Sequence, residues 1–142
     1  MRFWDSSALI PLFVVEPFTA LVRDWLDEDA DVVVWSLTRV ELLSAIARRR
    51  REGRDLASRL ASARRNALAA SERWLEVTAI DAVRSSAERV VELHPLRAAD
   101  ALQIAAALVA ARDDPGAFEF VTLDDRQAEA AEREGFRVLG PR

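Results

Sequence analysis

The run of four apolar residues at positions 32–35, Val-Val-Val-Trp, constrains the fold more than any other stretch of the chain. A strand with one solvated face alternates polar and apolar side chains, whereas this run has no polar face. β-Branched and aromatic residues also favour extended backbone. The sequence therefore predicts a strand that other elements cover on both sides of its sheet.

Other strand-like runs alternate with amphipathic helical segments along the rest of the chain. The predicted strands are Arg2–Trp4, 32–35, 75–80, 118–122 and 136–139, and a turn is predicted at 113–116. The predicted helices span about 6–13, 18–27, 38–53, 55–71, 81–93, 95–112 and 124–134. This alternation indicates a parallel sheet with helices on both faces. We expect a three-layer α/β/α fold with a mainly parallel sheet of four or five strands, formed by residues 1–142 as one domain.

An alanine-rich segment at 94–112 predicts a largely apolar helix. Pro95 predicts its start, because the fixed φ of proline suits a first helical turn. Alanine favours helix and lets it lie close to a sheet, with one apolar stripe formed by Leu102, Ala105, Ala106 and Val109. Asp100 is an acid in this apolar run, so it must be paired, act as a cap or bind a cation.

The residue types that are missing narrow the possible chemistry. The chain has no cysteine and no lysine, and its one histidine is His94. These absences exclude disulfides, thiolate metal sites, a P-loop lysine and a lysine base. A pair of histidines that cleaves RNA without metal is also excluded, and we expect His94 to be an exposed residue before the helix. A hydrolase built on this chain would therefore use carboxylates and a metal ion.

Charge is spread unevenly over the sequence. The formal net charge is −4, yet residues 48–65 carry eight arginines against two acids, which is +6 and leaves −10 for the remainder. Such a basic segment indicates a polyanionic ligand, although a solvated helix face is the alternative. The candidate RNA-binding residues are Arg48, Arg49, Arg50, Arg51 and Arg54.

Hydropathy predicts a cytoplasmic protein without a membrane span. No apolar run reaches the roughly 18 residues that a span needs. The acid at position 5 interrupts any apolar region that a secretory signal would need at the start of the sequence.

Four acids fall where predicted strands end or helices begin: Asp5, Glu41, Asp100 and Asp124. Ligands of open α/β sheets bind beyond the carboxyl ends of the strands, where helix dipoles favour negative charge. Each acid alone could serve as a cap, and residues 38–41 match a capping box. Two carboxylates ~4 Å apart repel by about 4 kcal/mol at an effective dielectric constant of 20, so four together require a cation. Oxygen ligands favour Mg²⁺ or Mn²⁺.

The acids lie in four short motifs that resemble the signatures of PIN domains, above all those of VapC-type toxins from toxin–antitoxin pairs. The motifs are D-S-S-A-L at 5–9, S-L-T-R-V-E at 36–41, P-L-R-A-A-D-A-L-Q-I-A-A-A at 95–107 and V-T-L-D-D-R at 121–126. They occur in the family's order and cover essentially the whole chain. The ordered set is far more specific than any one motif.

This resemblance implies a metal-dependent endoribonuclease that forms a homodimer and is inhibited by a VapB-like antitoxin. It implies that the catalytic and metal-binding residues are Asp5, Glu41, Asp100 and Asp124, with Ser6 and Thr122 as supporting polar groups. Asp125 is an alternative to its neighbour Asp124. Metal activation of a water predicts a 5′-phosphate and a 3′-hydroxyl as products.

Two other function classes share this fold plan. A phospho-acceptor receiver domain also has an acidic pocket, but that family relies on a lysine, which this chain lacks. A PIN-like binding module without catalytic activity, acting through protein or RNA contacts, is the remaining alternative.

Overall fold

The computed structural model describes residues 1–112 and 114–141. Asp113, the first residue of the predicted turn, and Arg142 lie outside the described residues. The first half contains β1 (Arg2–Trp4), α1 (Ser6–Phe13), α2 (Thr19–Glu28), β2 (Val32–Trp35), α3 (Thr38–Glu52) and α4 (Ala57–Ser71). The second half contains β3 (Leu75–Val77), α5 (Ile80–Leu93), α6 (Ala98–Ala111), a short 3-10 turn (Pro115–Ala117), β4 (Glu119–Val121), α7 (Asp125–Arg133) and β5 (Arg137–Leu139).

The strands form one sheet in the order β3-β2-β1-β4-β5, and every neighbouring pair is parallel. β1 lies at the centre, where Arg2 is in register with Val32 on one side and Glu119 on the other. The prediction of a parallel sheet between two helical layers is confirmed, with five strands.

Both faces of the sheet are covered by apolar cores. Val32 and Val34 pack on one face with residues of α1 to α4, whereas Val33 and Trp35 pack on the other face with α5, α6 and α7. All four residues of β2 are buried, as its unbroken apolar run predicted. The second core includes Phe3 stacked on Phe120, with 5.5 Å between ring centroids.

The alanine-rich helix α6 begins at Ala98, so the prediction that Pro95 starts it is wrong. His94 precedes a proline and is therefore disfavoured in helical backbone. It adopts extended geometry, with φ −130° and ψ 145°, and its N–H caps α5 by donating to Val90 O. Pro95 consequently lies in the connection between the two helices.

The buried surface of α6 is wider than the one apolar stripe that the sequence predicts. Ala105 and Ala106 are fully buried, but Leu102 and Val109 are only half-buried. The helix contacts α5 as well as β2 and β3, which buries further positions at Ala101, Gln103, Ile104 and Ala107. Small side chains allow this close packing.

The connections after β1, β2 and β4 are short, and they determine where the site lies. α1, α3 and α7 each begin within four residues of the preceding strand. Because parallel strands end at the same edge of a sheet, these helix N-termini gather at its carboxyl edge. Within the described residues, no helix is both long and apolar enough to cross a bilayer.

Candidate active site

Asp5 lies at the floor of the site, between β1 and α1, and its side chain is fully buried. Its Oδ1 accepts from the Ser7 N–H, which caps α1, and its Oδ2 accepts from the hydroxyls of Ser7, at 2.8 Å, and Thr122. Burial raises the pKa of Asp5 to about 6; these hydrogen bonds oppose the shift and the charge of Asp124 adds to it.

Asp124 approaches Asp5 from the end of β4. It is the N-cap of α7, and its Oδ1 accepts from the Gln127 N–H at 2.9 Å. Its own N–H donates to Thr122 Oγ1 at 3.0 Å, so the Thr122 hydroxyl joins Asp5 to Asp124. Asp125 is exposed in the first turn of α7. Asp124 is thus the acid of this pair that adjoins Asp5.

Glu41 reaches the site from the first turn of α3. Its Oε2 accepts from Ser6 Oγ at 3.0 Å and its Oε1 accepts from Gln103 Nε2 at 3.1 Å. The capping-box alternative is wrong, because Leu37 is the N-cap and makes no side-chain cap bond. Burial raises the pKa of Glu41, and the neighbouring charge of Asp100 raises it further.

Asp100 lies in the first turn of α6 and is half-buried. Its Oδ1 accepts from Gln127 Nε2 at 3.2 Å. Burial is the main cause that raises the pKa of Asp100, and the charge of Asp124 adds to it, while Arg97 and Arg126 lower it. Both arginines are exposed, so they lie at the rim of the site.

The structure therefore gathers the four acids and both supporting residues at one edge of the sheet. We call Asp5, Glu41, Asp100 and Asp124 the carboxylate cluster. Over residues 1–112 and 114–141, no three acidic or histidine side chains are arranged so that they could hold a metal ion. Hydroxyl and amide groups instead occupy the spaces between the carboxylates.

Three residues that hold the carboxylate cluster were not predicted: Ser7, Gln103 and Gln127. Gln103 had a signal in the sequence, since it is the one polar residue in the apolar run 101–111. Gln127 had none, because a glutamine in a polar, amphipathic helix is unremarkable by pattern. The Oε1 atom of Gln127 is buried without a hydrogen-bond partner in the described structure.

The chemistry of the donors fits a hard divalent cation. The cluster offers only oxygen atoms, and Asp5, Glu41 and Asp100 all have raised pKa values because burial and like charge disfavour their ionised forms. An adjacent cation would reverse both effects. Carboxylate and amide oxygens are the ligands that Mg²⁺ and Mn²⁺ take.

His94 lies outside this site. The expectation that it is exposed is wrong, since it is buried with Nε2 2.7 Å from Glu134 Oε1. Arg89 also donates to both carboxylate oxygens of Glu134. These contacts join the end of α5 to the end of α7, which pattern alone did not reveal.

The basic segment, residues 48–65, runs from the end of α3 through the turn and into the first half of α4. Arg48, Arg50, Arg51 and Arg54 are exposed. Arg49 differs, because its guanidinium pairs with Glu16 and, at 3.1 Å, with Asp55, and its side chain is 15% exposed. Arg48 lines a groove of about 440 Å³ together with Glu41 of the carboxylate cluster.

Comparisons with known proteins agree on one family. The family model of the PIN domain matches residues 2–133. Ribonuclease VapC35 of Mycobacterium tuberculosis is 32% identical over 143 aligned positions, covering 99% of this chain and 97% of that protein, in strains CDC 1551 and H37Rv alike.

Solved structures share the fold at lower identity. FitAcB from Neisseria gonorrhoeae has a TM-score of 0.66 at 18% identity, over 98% of this chain and 96% of that one. FitAB bound to an IR36 DNA fragment has a TM-score of 0.68 at 18% identity, over 99% of this chain and 95% of that one. PAE2754 from Pyrobaculum aerophilum has a TM-score of 0.63 at 21% identity, over 96% of this chain and 82% of that one. With a family model that spans almost all of the sequence and a ribonuclease relative aligned over nearly its full length, this chain belongs to the PIN-domain family.

Proposed function

We propose that residues 1–142 form a single metal-dependent endoribonuclease domain, the toxin of a VapBC-type toxin–antitoxin pair. The observation that carries the proposal is the carboxylate cluster, to which four separate elements of the fold each contribute one acid. The relative named as a ribonuclease supports the same reaction class. RNA phosphodiesters are the substrate, with a 5′-phosphate and a 3′-hydroxyl as products.

We assign the cation as Mg²⁺ or Mn²⁺, held by Asp5, Glu41, Asp100 and Asp124. When bound, such an ion polarises a phosphate and lowers the pKa of an attacking water. No three acids of the described residues are arranged to hold an ion, so binding would require hydroxyl donors such as Ser6 to release a carboxylate oxygen to it. The mutual repulsion of the carboxylates favours that exchange.

The residues of the chain would supply the remaining parts of catalysis. Thr122 and Ser7 fix the orientation of Asp5, so that the carboxylate at the floor of the site is ordered before substrate arrives. Arg97 and Arg126 stand at the rim beside Asp100, where they would contact phosphates of the RNA strand. Arg48, which lines the groove beside Glu41, and the exposed Arg50, Arg51 and Arg54 further along the basic segment would extend that contact.

One observation favours a second candidate, a PIN-like binding module without catalytic activity. Asp5, Glu41 and Asp100 have raised pKa values, and in the described residues hydrogen bonds rather than a metal-binding arrangement connect the acids. A site of this kind could bind RNA or protein through its rim arginines alone. The two candidates differ in whether RNA is cleaved.

We propose a VapB-like antitoxin, a second copy of the chain and RNA as partners, acting in the cytoplasm where such RNA is found. Exposed apolar side chains offer surface for protein partners at Val15, Phe18, Leu37 and Val40. Val15 and Arg59 line one groove of about 340 Å³ between the end of α1 and α4. Because apolar and basic side chains both line this groove, it suits an amphipathic, acidic segment of an antitoxin.

The function is tested by incubating purified protein with end-labelled RNA in Mn²⁺, in Mg²⁺ and in EDTA. We expect cleavage in either metal, none in EDTA, and products whose 5′ ends can be ligated directly because they carry a phosphate. Asp5→Asn and Asp100→Asn should abolish cleavage and relieve growth arrest on expression. RNA binding without cleavage by the wild type would establish the binding module instead.

A further inference from the structure

The chain contains two glutamines, and both contact the carboxylate cluster. Gln103 Nε2 donates to Glu41 and Gln127 Nε2 donates to Asp100. Both residues are buried, Gln103 completely. Burying an amide beside apolar side chains is unfavourable unless hydrogen bonds compensate, so their place here needs a reason.

Gln103 is held by α3 as well as by its own helix. Its Nε2 lies 2.9 Å from Thr38 Oγ1 and 3.1 Å from Glu41 Oε1, and its Oε1 lies 3.3 Å from the same Thr38 hydroxyl. The buried Thr38 hydroxyl holds the amide in place, and the carboxylate of Glu41, which accepts only, fixes which end of the amide faces it. One N–H is then directed at Glu41, a residue 62 positions away in the sequence.

Gln127 contacts two acids at once. Its backbone N–H donates to Asp124 Oδ1 at 2.9 Å, and its side-chain Nε2 donates to Asp100 Oδ1 at 3.2 Å. It joins α7 to α6 at the point where the charges of Asp124 and Asp100 repel. A donor between two like charges offsets part of that repulsion.

We infer that Gln103 and Gln127 are positioning residues: each amide holds one carboxylate oxygen, Oε1 of Glu41 or Oδ1 of Asp100, and so orders the carboxylate whose other oxygen a divalent cation would bind. Ligands that are already ordered lose less conformational freedom when the ion enters, which strengthens binding. Hydrogen-bond partners of metal ligands act in this way, and their loss weakens metal affinity by about 10–100-fold. The inference rests on the metal site of the proposed function.

The test is Mn²⁺ titration calorimetry on the full chain, combined with the melting temperature in EDTA. Gln103→Met and Gln127→Met keep side-chain length and remove the amide. We expect each to weaken Mn²⁺ binding by about 10–100-fold. The matched controls are Ile104→Val on α6 and Ala130→Gly on α7, buried positions outside the cluster. They should lower the melting temperature in EDTA and leave Mn²⁺ affinity at the wild-type value.

A milder variant keeps the inference testable if either methionine variant does not fold. Thr38→Val removes the hydroxyl that holds the Gln103 amide in place but keeps the glutamine and all four acids. It should weaken Mn²⁺ binding by less than Gln103→Met does. Wild-type Mn²⁺ affinity in the folded variants, with melting temperatures lowered as in the controls, would show that the amides only pack, and would overturn this inference alone. A wild type that binds no Mn²⁺ would overturn the proposed function together with it.

Discussion

The Ser6 hydroxyl donates to Glu41 Oε2 over 3.0 Å, although 35 positions separate the two residues. This contact joins the first turn of α1 to the first turn of α3 across the carboxyl edge of the sheet. With Gln103 on the other oxygen of Glu41, it turns the carboxylate away from its own helix N-terminus and into the site. Glu41 is thereby available for function rather than for capping.

Replacing Asp5 by asparagine separates its proposed catalytic role from its structural one. Asn is as good an N-cap as Asp, so the Ser7 contact survives while the buried charge is lost. We expect RNA cleavage to disappear and metal-free stability at pH 7.5 to be equal or higher, by up to on the order of 3 kcal/mol from the raised pKa of Asp5. Thermal unfolding in EDTA measures this. A clear loss of stability in Asp5→Asn would show instead that the folded protein needs the ionised carboxylate to accept from Ser7 and Thr122.

The raised pKa of Asp5 also predicts how stability depends on pH. Between the ordinary value of 3.8 and the folded value of about 6, the folded protein binds more protons than the unfolded chain. Stability from this group is therefore complete below pH 3.8 and is lost as pH rises through about 6. Melting temperatures in EDTA at several pH values should show the decline. Asp5→Asn should flatten it, and an unchanged slope would contradict the burial of this charge.

Divalent metal should stabilise the wild type by mass action. Mn²⁺ at about 100 times its dissociation constant adds roughly 2.7 kcal/mol to the free energy of unfolding. The shift in melting temperature should be larger at pH 7.5 than at pH 5, because protons compete with the ion for Asp5. The double variant Asp5→Asn with Asp100→Asn serves as the control and should show no shift. No stabilisation of the wild type at millimolar Mn²⁺ would count against the metal site.

Adjacent acids on α7 provide a matched pair of variants. Asp124 adjoins Asp5 through Thr122, whereas Asp125 is exposed. Asp124→Asn keeps an N-cap residue and should abolish cleavage with little change in melting temperature. Asp125→Asn removes the same charge one position further on and should cleave RNA at the wild-type rate. A reversed result would assign the metal to Asp125.

Neighbouring arginines on α3 should separate RNA contact from stability. Arg49 pairs with Glu16 and Asp55, so Arg49→Gln should lower stability by about 1.5–3 kcal/mol. Arg48→Gln and Arg51→Gln alter exposed residues and should leave the melting temperature unchanged. They should weaken RNA binding at all sequences and reduce its salt slope by roughly 0.7 per lost phosphate contact. Unchanged RNA affinity in both would identify the basic segment as a solvated helix face.

Local sequence patterns were sufficient to predict the fold and the positions of the acids in it. The apolar run of β2 predicted burial on both faces, and alternating elements predicted the parallel sheet, because both depend on periodicities of 2 and 3.6 residues that each segment carries within itself. The positions of Asp5 and Asp124 after strands followed from the same alternation. The predicted start of α6 at Pro95 is wrong, because proline has two opposite effects on helices. It suits the first turn of a helix, but it also disfavours helical backbone at the residue before it, and here it ends α5 instead of starting α6.

The contacts that make a site out of these acids depend on which distant residues meet. Gln103 and Thr38 lie 65 positions apart, and Gln127 and Asp100 lie 27 positions apart, so no local sequence pattern contains either pair. The sequence by itself determined that these acids lie where strands end and helices begin. Only the tertiary structure decided that Glu41 faces Ser6 rather than its own cap, and that Asp124 rather than Asp125 adjoins Asp5. Hydrogen-bond partners and burial depend on how the elements pack, and no single segment encodes that packing.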